Sequence, residues 1–298
     1  MGRALAESFS CARELFEEVD DALTQKLSKL MWEGPESELT LTENAQPAIM
    51  AASLAVIRVL EREAGFNFAG HARLVAGHSL GEYSALSAAG SFALVDAARL
   101  LRTRGKAMQQ AVPPGEGAMS ALIGIEIADA EGAAEEASAQ GGVCVVANDN
   151  APGQLVISGT KETVERAGEM AKTKGARRVI PLPVSAPFHS PLMQSAANKM
   201  REALSEVVIR PLRVPIVSNV TAAETNEPGM IRTLLVKQLT SRVRWRESVL
   251  KFRDFGVDTT VEAGGNKVLT GLVKRIDLEL QTVSLDTPQD IEAFARTL

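Results

Sequence analysis

The sequence is poor in cysteine and histidine and has no long apolar run, and each shortage removes a class of protein. Its two cysteines, Cys11 and Cys144, stand far apart with no CxxC spacing and no clustered histidines. Buried or inert thiols are expected there, and no metal site. The longest uncharged stretch of the first third, Ala45 to Ile57, is far short of the roughly 18 apolar residues that span a bilayer. No membrane anchor is expected. Arg3, Glu7, Arg13 and Glu14 interrupt any apolar core at the start, which argues against a signal peptide. Ala6 stands where a myristoylated start carries serine or threonine. The reading is a cytoplasmic protein. A net charge of -5 argues against a general nucleic-acid binder. Local basic runs at Lys172, Lys174, Arg177 and Arg178, and at Arg242, Arg244 and Arg246, read first as solvated faces and second as a surface for an acidic protein.

With 298 residues, 45% apolar and 23% charged, the chain has the composition of an ordinary globular protein with room for one large or two smaller domains. Leu5, Phe9, Ala12, Phe16, Val19 and Leu23 recur at helical spacing and predict one amphipathic helix. A second helix is predicted from Pro47 to Glu63, with proline in its first turn and Gly65 beyond its end. Then come a strand at Leu74 to Ala76, a sharp turn, a helix stopped by Gly90, and another helix from Val95 to Ala111. Pro113-Pro114-Gly115 ends that pattern and marks a boundary. Beyond it the order is strand, helix, strand, strand, helix, strand up to about Leu182, the ferredoxin-like arrangement. From Pro187 onward helices alternate again with strand-like runs, as in a parallel sheet covered by helices. The fold class is therefore α/β, with a large discontinuous domain over 1–115 and 185–298 and a ferredoxin-like insert over 116–184.

The turn Gly77-His78-Ser79-Leu80-Gly81 has the G-x-S-x-G pattern. Between a strand and a helix, that pattern forces the serine into a tight bend with its hydroxyl exposed above the sheet, and the glycines remove side chains that would clash. The amide of Leu80 would face an oxyanion forming on a substrate carbonyl. A glycine-rich helix start with no nucleophile is the plainer alternative. Ser79 needs a base, and the chain offers three histidines. His78 is expected to point away from Ser79 and to pack or hydrogen-bond behind it. His71 lies in a polar loop. His189, in Ala186-Pro187-Phe188-His189-Ser190-Pro191, is the best candidate, with Ser190 to cap and Pro191 to open the next helix. The positive end of that helix is expected to keep the imidazole neutral. A loop histidine with no catalytic part is the alternative.

Arg104 falls on the apolar stripe Ala97, Leu101, Met108 and Ala111 of its helix. It has no carboxylate three or four residues away, so its anion comes from elsewhere. A substrate carboxylate, held by two parallel hydrogen bonds, and a structural Asp or Glu from another segment are equally good readings on these residues.

Gly77-His78-Ser79-Leu80-Gly81-Glu82-Tyr83, Arg104-Gly105-Lys106, Gly117-Ala118-Met119, Asn150 with Pro152-Gly153-Gln154, and Phe188-His189-Ser190 together resemble the malonyl-CoA:acyl carrier protein transacylases over nearly the whole chain. The resemblance implies an α/β-hydrolase-like large domain with a ferredoxin-like small one. It implies that Ser79 takes a malonyl group from malonyl-CoA and hands it to the phosphopantetheine thiol of acyl carrier protein. His189 then acts as base and acid, oriented by the backbone carbonyl of Gln238 in place of an aspartate. Arg104 holds the malonyl carboxylate, Leu80 lines the oxyanion site, and Phe188 crowds any methyl branch on the acyl group. Coenzyme A and phosphopantetheine are substrate carriers, so no cofactor, metal, nucleic acid or membrane is implied.

One element of the family pattern is not found. The family begins with a buried strand and a Gly-Gln-Gly-Ser-Gln turn whose glutamine amide is a second oxyanion donor, whereas Met1-Gly2-Arg3 resembles the segment just after it. Loss of such a donor costs about 100- to 1000-fold in rate, so a chain starting at Met1 is expected to be impaired or unstable and a longer form active. Two other classes remain open. A serine hydrolase or thioesterase also uses G-x-S-x-G, but carries its histidine late in the chain, and here none follows His189. A non-catalytic binding protein would take no acyl group at all.

Overall fold

In the computed structural model, which describes residues 1–184, 186–265 and 267–298, short strands frame the site and helices enclose it. β1 (Val75–Ala76) pairs in parallel with a later strand, Ile216–Val217, and that strand pairs antiparallel with Glu224–Thr225. Thr259–Ala263 and Gln281–Leu285 form a separate parallel pair. The strand-like run at Val214 to Val220 contributes only Ile216 and Val217 to a ladder. Pro215 has no amide to donate and gives its carbonyl to Val75.

The middle of the chain forms β2 (Gly117–Ile123), β3 (Cys144–Ala151), β4 (Gln154–Thr160) and β5 (Arg178–Pro181), an antiparallel sheet in the order β3-β4-β2-β5. With helices Ile127–Ala139 and Lys161–Thr173 between strands, this is the βαββαβ pattern. Alternation along the strands divides its two faces. Leu122, Val146, Leu155 and Ile157 meet the alanines Ala130, Ala133, Ala134 and Ala137 and, from the second helix, Val164, Ala167 and Ala171. Met119, Ala147 and Val156 line the opposite face with Leu182, Val184 and Phe188. Ala147, the neighbour of Val146 on β3, takes the second face by the same alternation, and the register shifts just beyond Val146, between it and Asn148. The edge of β3 is not bare: Asp149 N–H donates to Val243 O at 2.9 Å and Val243 N–H to Ala147 O at 2.8 Å. Arg246 adds Nε bonds to both oxygens of buried Asp149, at 3.0 and 2.9 Å. The segment around Val243 therefore ties the small sheet to the rest of the chain and blunts its edge. It also absorbs the basic run at 242–246, since Arg242 pairs with Glu131 and Arg244 with Glu247.

The main core is built on the helix Thr42–Glu63, buried along Ala48, Ala51, Ala52, Ala55, Val56 and Val59 and packed on Leu94–Gln109. This helix starts before Pro47, which sits inside it rather than in its first turn. The proline forgoes one backbone bond, while Asn44 Nδ2 anchors the first turn to Glu38 O at 2.8 Å. The predicted helix from Leu5 is two, Arg3–Ser8 and Ser10–Leu23, broken at extended Phe9. Ser8 and Ser10 flank the break, and serine competes for backbone hydrogen bonds. Each half then turns its own apolar face, Leu5 and Ala6 or Leu15, Phe16 and Val19, to the core. Ser185, where the second part of the large domain was placed, lies outside the described residues. No helix among the described residues is long and apolar enough to cross a membrane.

Gly105 lies where the two central helices cross. A Cβ there would stand 2.6 Å from both Glu43 Cα and Thr42 O. Gly105→Ala is therefore expected to lower stability by about 1–3 kcal/mol through overpacking against backbone. A denaturant midpoint that falls with an unchanged m-value would show this, and an unmoved midpoint would contradict the crossing.

Candidate active site

Ser79 ends the turn after β1 and stands at the N-cap position of the helix Leu80–Ala88, with no cap bond from its hydroxyl. Its backbone is strained, with φ 54° and ψ -109°, a conformation that costs a non-glycine residue about 1–3 kcal/mol. Two features hold it there. A Cβ on Gly77 would lie 1.9 Å from Gly81 O, so only glycine lets the strand end pass the first helical turn. Gly81 is different from the sequence expectation: a Cβ on it would meet nothing within 4 Å, so it relieves no clash. The second feature is Asn219, whose Oδ1 accepts from Ser79 N–H at 2.7 Å and whose Nδ2 donates to Gly77 O at 2.7 Å. The amide thus staples both sides of the bend. Leu80 opens the helix; Gly81 N–H donates to His78 O at 2.9 Å and Glu82 N–H to Ser79 O at 3.1 Å, which leaves the Leu80 amide as the first-turn donor next to Ser79.

Ser79 Oγ lies 2.8 Å from His189 Nε2. The other ring nitrogen, Nδ1, lies 2.8 Å from the backbone carbonyl of Gln238. A carbonyl only accepts, so Nδ1 carries the hydrogen and Nε2 presents its lone pair to the serine. Burial lowers the imidazole pKa to about 3, and the charge of Arg104 pushes in the same direction. Those causes replace the expected helix end. The helix here begins as a single 3-10 turn, Pro191–Met193, and Ser190 does not cap it, because its hydroxyl donates to Pro187 O at 2.7 Å. His189 itself holds a left-handed φ of 57°.

Arg104 is only 1% exposed. Nη1 donates to Gln46 Oε1 at 2.8 Å, and Nη2 donates at 2.9 Å to both Ser79 Oγ and Gln238 Oε1. Its guanidinium carbon stands 5.7 Å from the centre of the Tyr83 ring. Among the described residues its Nε has no partner, and its hydrogen bonds go to Gln46, Ser79 and Gln238 rather than to a carboxylate. Of the two sequence readings for its anion, a structural carboxylate in direct contact is thus not the arrangement found. Uncharged amide oxygens hold the guanidinium beside the nucleophile.

His78 hydrogen-bonds and packs behind Ser79 as expected, but from the turn rather than from an extended strand, since β1 ends at Ala76. Nε2 meets Asn150 Oδ1 at 2.8 Å and the ring lies against Trp245. Phe188, next to the base, is half-buried and packs on both the main core and the site face of the small sheet. His71 stays exposed, stacked on Phe66. Both cysteines are free and buried; burial raises Cys11 and pushes Cys144 up to about 12. No cluster of three or more His, Cys, Asp or Glu suited to a metal ion occurs among the described residues.

Sequence reasoning left three contributors without a role: Gln46, Asn219 and Glu82. Gln46 and Asn219 are polar residues in otherwise apolar runs, Gln46 before Ala48 to Ala52 and Asn219 after Ile216 and Val217, and that interruption was the available signal. Glu82 is a carboxylate one turn after the nucleophile on a helix face that is otherwise buried.

The arrangement sets a serine hydroxyl between a neutral imidazole on one side and a buried guanidinium on the other, a geometry suited to acyl transfer through an ester on Ser79. The model of the acyl transferase domain matches residues 1–277. The chain is 45% identical over 298 residues to the malonyl CoA-acyl carrier protein transacylase of Bacillus subtilis, covering 100% of this chain and 92% of that protein. Among solved structures it is similar to the acyl-carrier-protein S-malonyltransferase of Bartonella henselae, with TM-score 0.97 and 53% identity over 100% of this chain and 94% of that one. It is also similar to a malonyl-transacylase solved in complex with its type II polyketide acyl carrier protein, with TM-score 0.96 and 40% identity over 100% of this chain and 95% of that one.

Proposed function

This chain belongs to the acyl transferase family, and from that premise we propose that it moves a malonyl group from malonyl-CoA to the phosphopantetheine thiol of an acyl carrier protein through a malonyl ester on Ser79. The observation that carries the reading is Ser79 Oγ held at once by His189 Nε2 and Arg104 Nη2. One contact activates the serine, and the other places a cation within reach of an acyl group that ends in a carboxylate.

In the first half-reaction His189 Nε2 takes the proton of Ser79 Oγ as the Oγ–C bond forms. The tetrahedral oxyanion develops toward the first-turn amide of Leu80. The C–S bond then breaks, and His189 returns its proton to the departing coenzyme A thiolate. The second half-reaction runs the same steps backward with the carrier's thiol as nucleophile. The Gln238 carbonyl holds Nδ1–H throughout, so the ring cannot turn away or take the wrong tautomer. Arg104 binds the malonyl carboxylate, to which its fork geometry is suited. Phe188 narrows the space next to the reacting carbon and so disfavours a branched acyl chain. Coenzyme A and phosphopantetheine enter only as carriers of the acyl group. A cytoplasmic location suits this substrate pair and two free, buried thiols.

The test is to mix the protein with malonyl-CoA and look for malonyl on the Ser79 peptide by mass spectrometry, then to add holo carrier protein and follow the group. Folded protein without an adduct would refute the reading, and an adduct cleared by water as fast as by carrier would indicate a hydrolase. Arg104→Ala separates the two substrate roles. Removing one partner of a buried, hydrogen-bonded charge pair costs about 2–5 kcal/mol, so kcat/KM for malonyl-CoA should fall at least about 30-fold. For acetyl-CoA, which lacks the carboxylate, the loss should be much smaller. Equal losses for the two donors would make Arg104 merely structural.

A further inference from the structure

The buried cation beside Ser79 has a counter-charge one residue removed from contact. Glu82 is 3% exposed. Its Oε2 accepts from Gln238 Nε2 at 2.6 Å and from Asn219 N–H at 3.3 Å. The same Gln238 side chain accepts from Arg104 Nη2 through Oε1. One primary amide therefore bridges guanidinium and carboxylate, with its oxygen on the cation and its nitrogen on the anion. Gln238 also supplies the carbonyl that orients His189, and Asn219 staples the Ser79 bend. Glu82 thus holds the two residues that set nucleophile, base and clamp.

We propose that Glu82 is a positioning residue for the Arg104 clamp that takes up a proton when the malonyl carboxylate reaches Arg104 and releases it when the acyl group leaves. The inference rests on the function proposed above. Its physical basis is charge balance in a dry pocket. Before the substrate arrives, Glu82 serves Arg104 as a relayed anion; afterwards two carboxylates share one guanidinium, and a second buried negative charge is costly. The displaced charge is most easily lost as a proton bound by Glu82. Its carboxyl is already pushed up to about 7, mainly by burial and against the opposing pull of Gln238, Asn219, Ser218 and Arg104. Arg104, from the helix Leu94–Gln109, is the charge that reaches it. Ser218, Asn219 and Gln238, which face it from the other elements, are uncharged, and Tyr83 on its own helix has its phenol raised and stays neutral. His189 and His78, on either side of Ser79 in sequence and space, are both held below the ordinary imidazole range.

Acylation itself consumes no proton, because the one leaving Ser79 Oγ is returned to the coenzyme A thiol. Net uptake therefore reports on the protein. The experiment is a single turnover with enzyme in excess over malonyl-CoA in weak buffer with a pH indicator, each sample quenched in parallel to count malonyl-Ser79 by mass spectrometry. At pH 7.5 roughly 0.5–0.75 proton should be taken up per adduct, since about a quarter of Glu82 is already protonated there. Near pH 5.5 uptake should fall toward zero, because Glu82 is then protonated before the substrate arrives. Glu82→Gln keeps an oxygen to accept from Gln238 and should abolish the uptake per adduct formed. A full yield of adduct with no uptake at pH 7.5, uptake independent of pH, or uptake unchanged in Glu82→Gln would each overturn the proposal. If the variant does not fold, the pH dependence of the unaltered protein still decides. Absence of any adduct would instead refute the transacylase reading, so the two failures are distinguishable.

Discussion

Ser79→Ala is expected to leave a folded protein that binds malonyl-CoA and forms no acyl-enzyme, with turnover reduced by about 10^5- to 10^6-fold. The size of the loss follows from what remains. Arg104 keeps Gln46 and Gln238 as acceptors, and Asn219 binds the main chain of residue 79 and Gly77 rather than the hydroxyl. The bend and the clamp therefore stand without the hydroxyl, and the stability change should stay within about 1 kcal/mol. No substitute nucleophile is at hand, because both thiols are buried and raised away from their reactive form. Competition binding with malonyl-CoA, thermal melting and peptide mass spectrometry on one preparation would test all three parts. An adduct at another residue, or a variant that no longer binds the donor, would place the chemistry elsewhere.

Much of this site was legible because its chemistry constrains the sequence locally. The G-x-S-x-G turn marks Ser79, and the paucity of histidine leaves few bases to weigh. Arg104 stands out because a charge on an apolar helix stripe needs an external reason. What stayed hidden is set by contacts between distant segments. Asn219 reaches the Ser79 bend from the end of the strand Ile216–Val217, and Gln46 meets Arg104 from another helix. Neither pairing leaves a periodic trace. Gln238 was placed by resemblance for its carbonyl alone; that its side chain bridges Arg104 and Glu82 depends on a rotamer, which sequence does not encode.

The fold divides in the same way. The βαββαβ segment was readable because short apolar strand stretches alternate with longer polar, helix-forming ones, whereas the split at Phe9 was not, since Leu5 to Leu23 keeps helical spacing across the break. The helix Pro288–Ala295 did carry a local signature, Thr287 with proline next and Asp290 completing a capping box. That signal could have been used. The lone turn of ladder in β1 could not, because a strand of two residues offers no period to count.

His189→Ala should lower the rate of both half-reactions by about 10^3- to 10^5-fold, less than loss of the nucleophile, because Ser79 can still react once its proton is taken by solvent. Arg104 Nη2 remains 2.9 Å from Oγ and would favour the alkoxide. The residual rate should therefore rise with pH across the neutral range, as solvent hydroxide replaces the missing base. The unaltered protein should behave in the opposite way near pH 6.5. Its base works deprotonated, which means above its pKa, and burial holds that pKa at about 3. Acylation should show no loss of an imidazole base between pH 8 and 5, and the fall from His189 protonation should come only well below pH 5. Pre-steady-state acylation rates for both proteins over pH 5–8 would check this. A limb near 6.5 in the unaltered protein that vanishes in His189→Ala would mean that the imidazole is more exposed during catalysis than its 4% exposure allows. Stability carries the same sign: below pH 6.5 the unfolded chain binds a proton that folded His189 refuses until about pH 3, so acid destabilises the fold across that window. The alanine variant should lose that part of its acid sensitivity. Neutrality of the base and its cost to the fold thus arise from one cause, the closure of protein around an imidazole whose Nδ1–H is satisfied by a carbonyl rather than by a carboxylate.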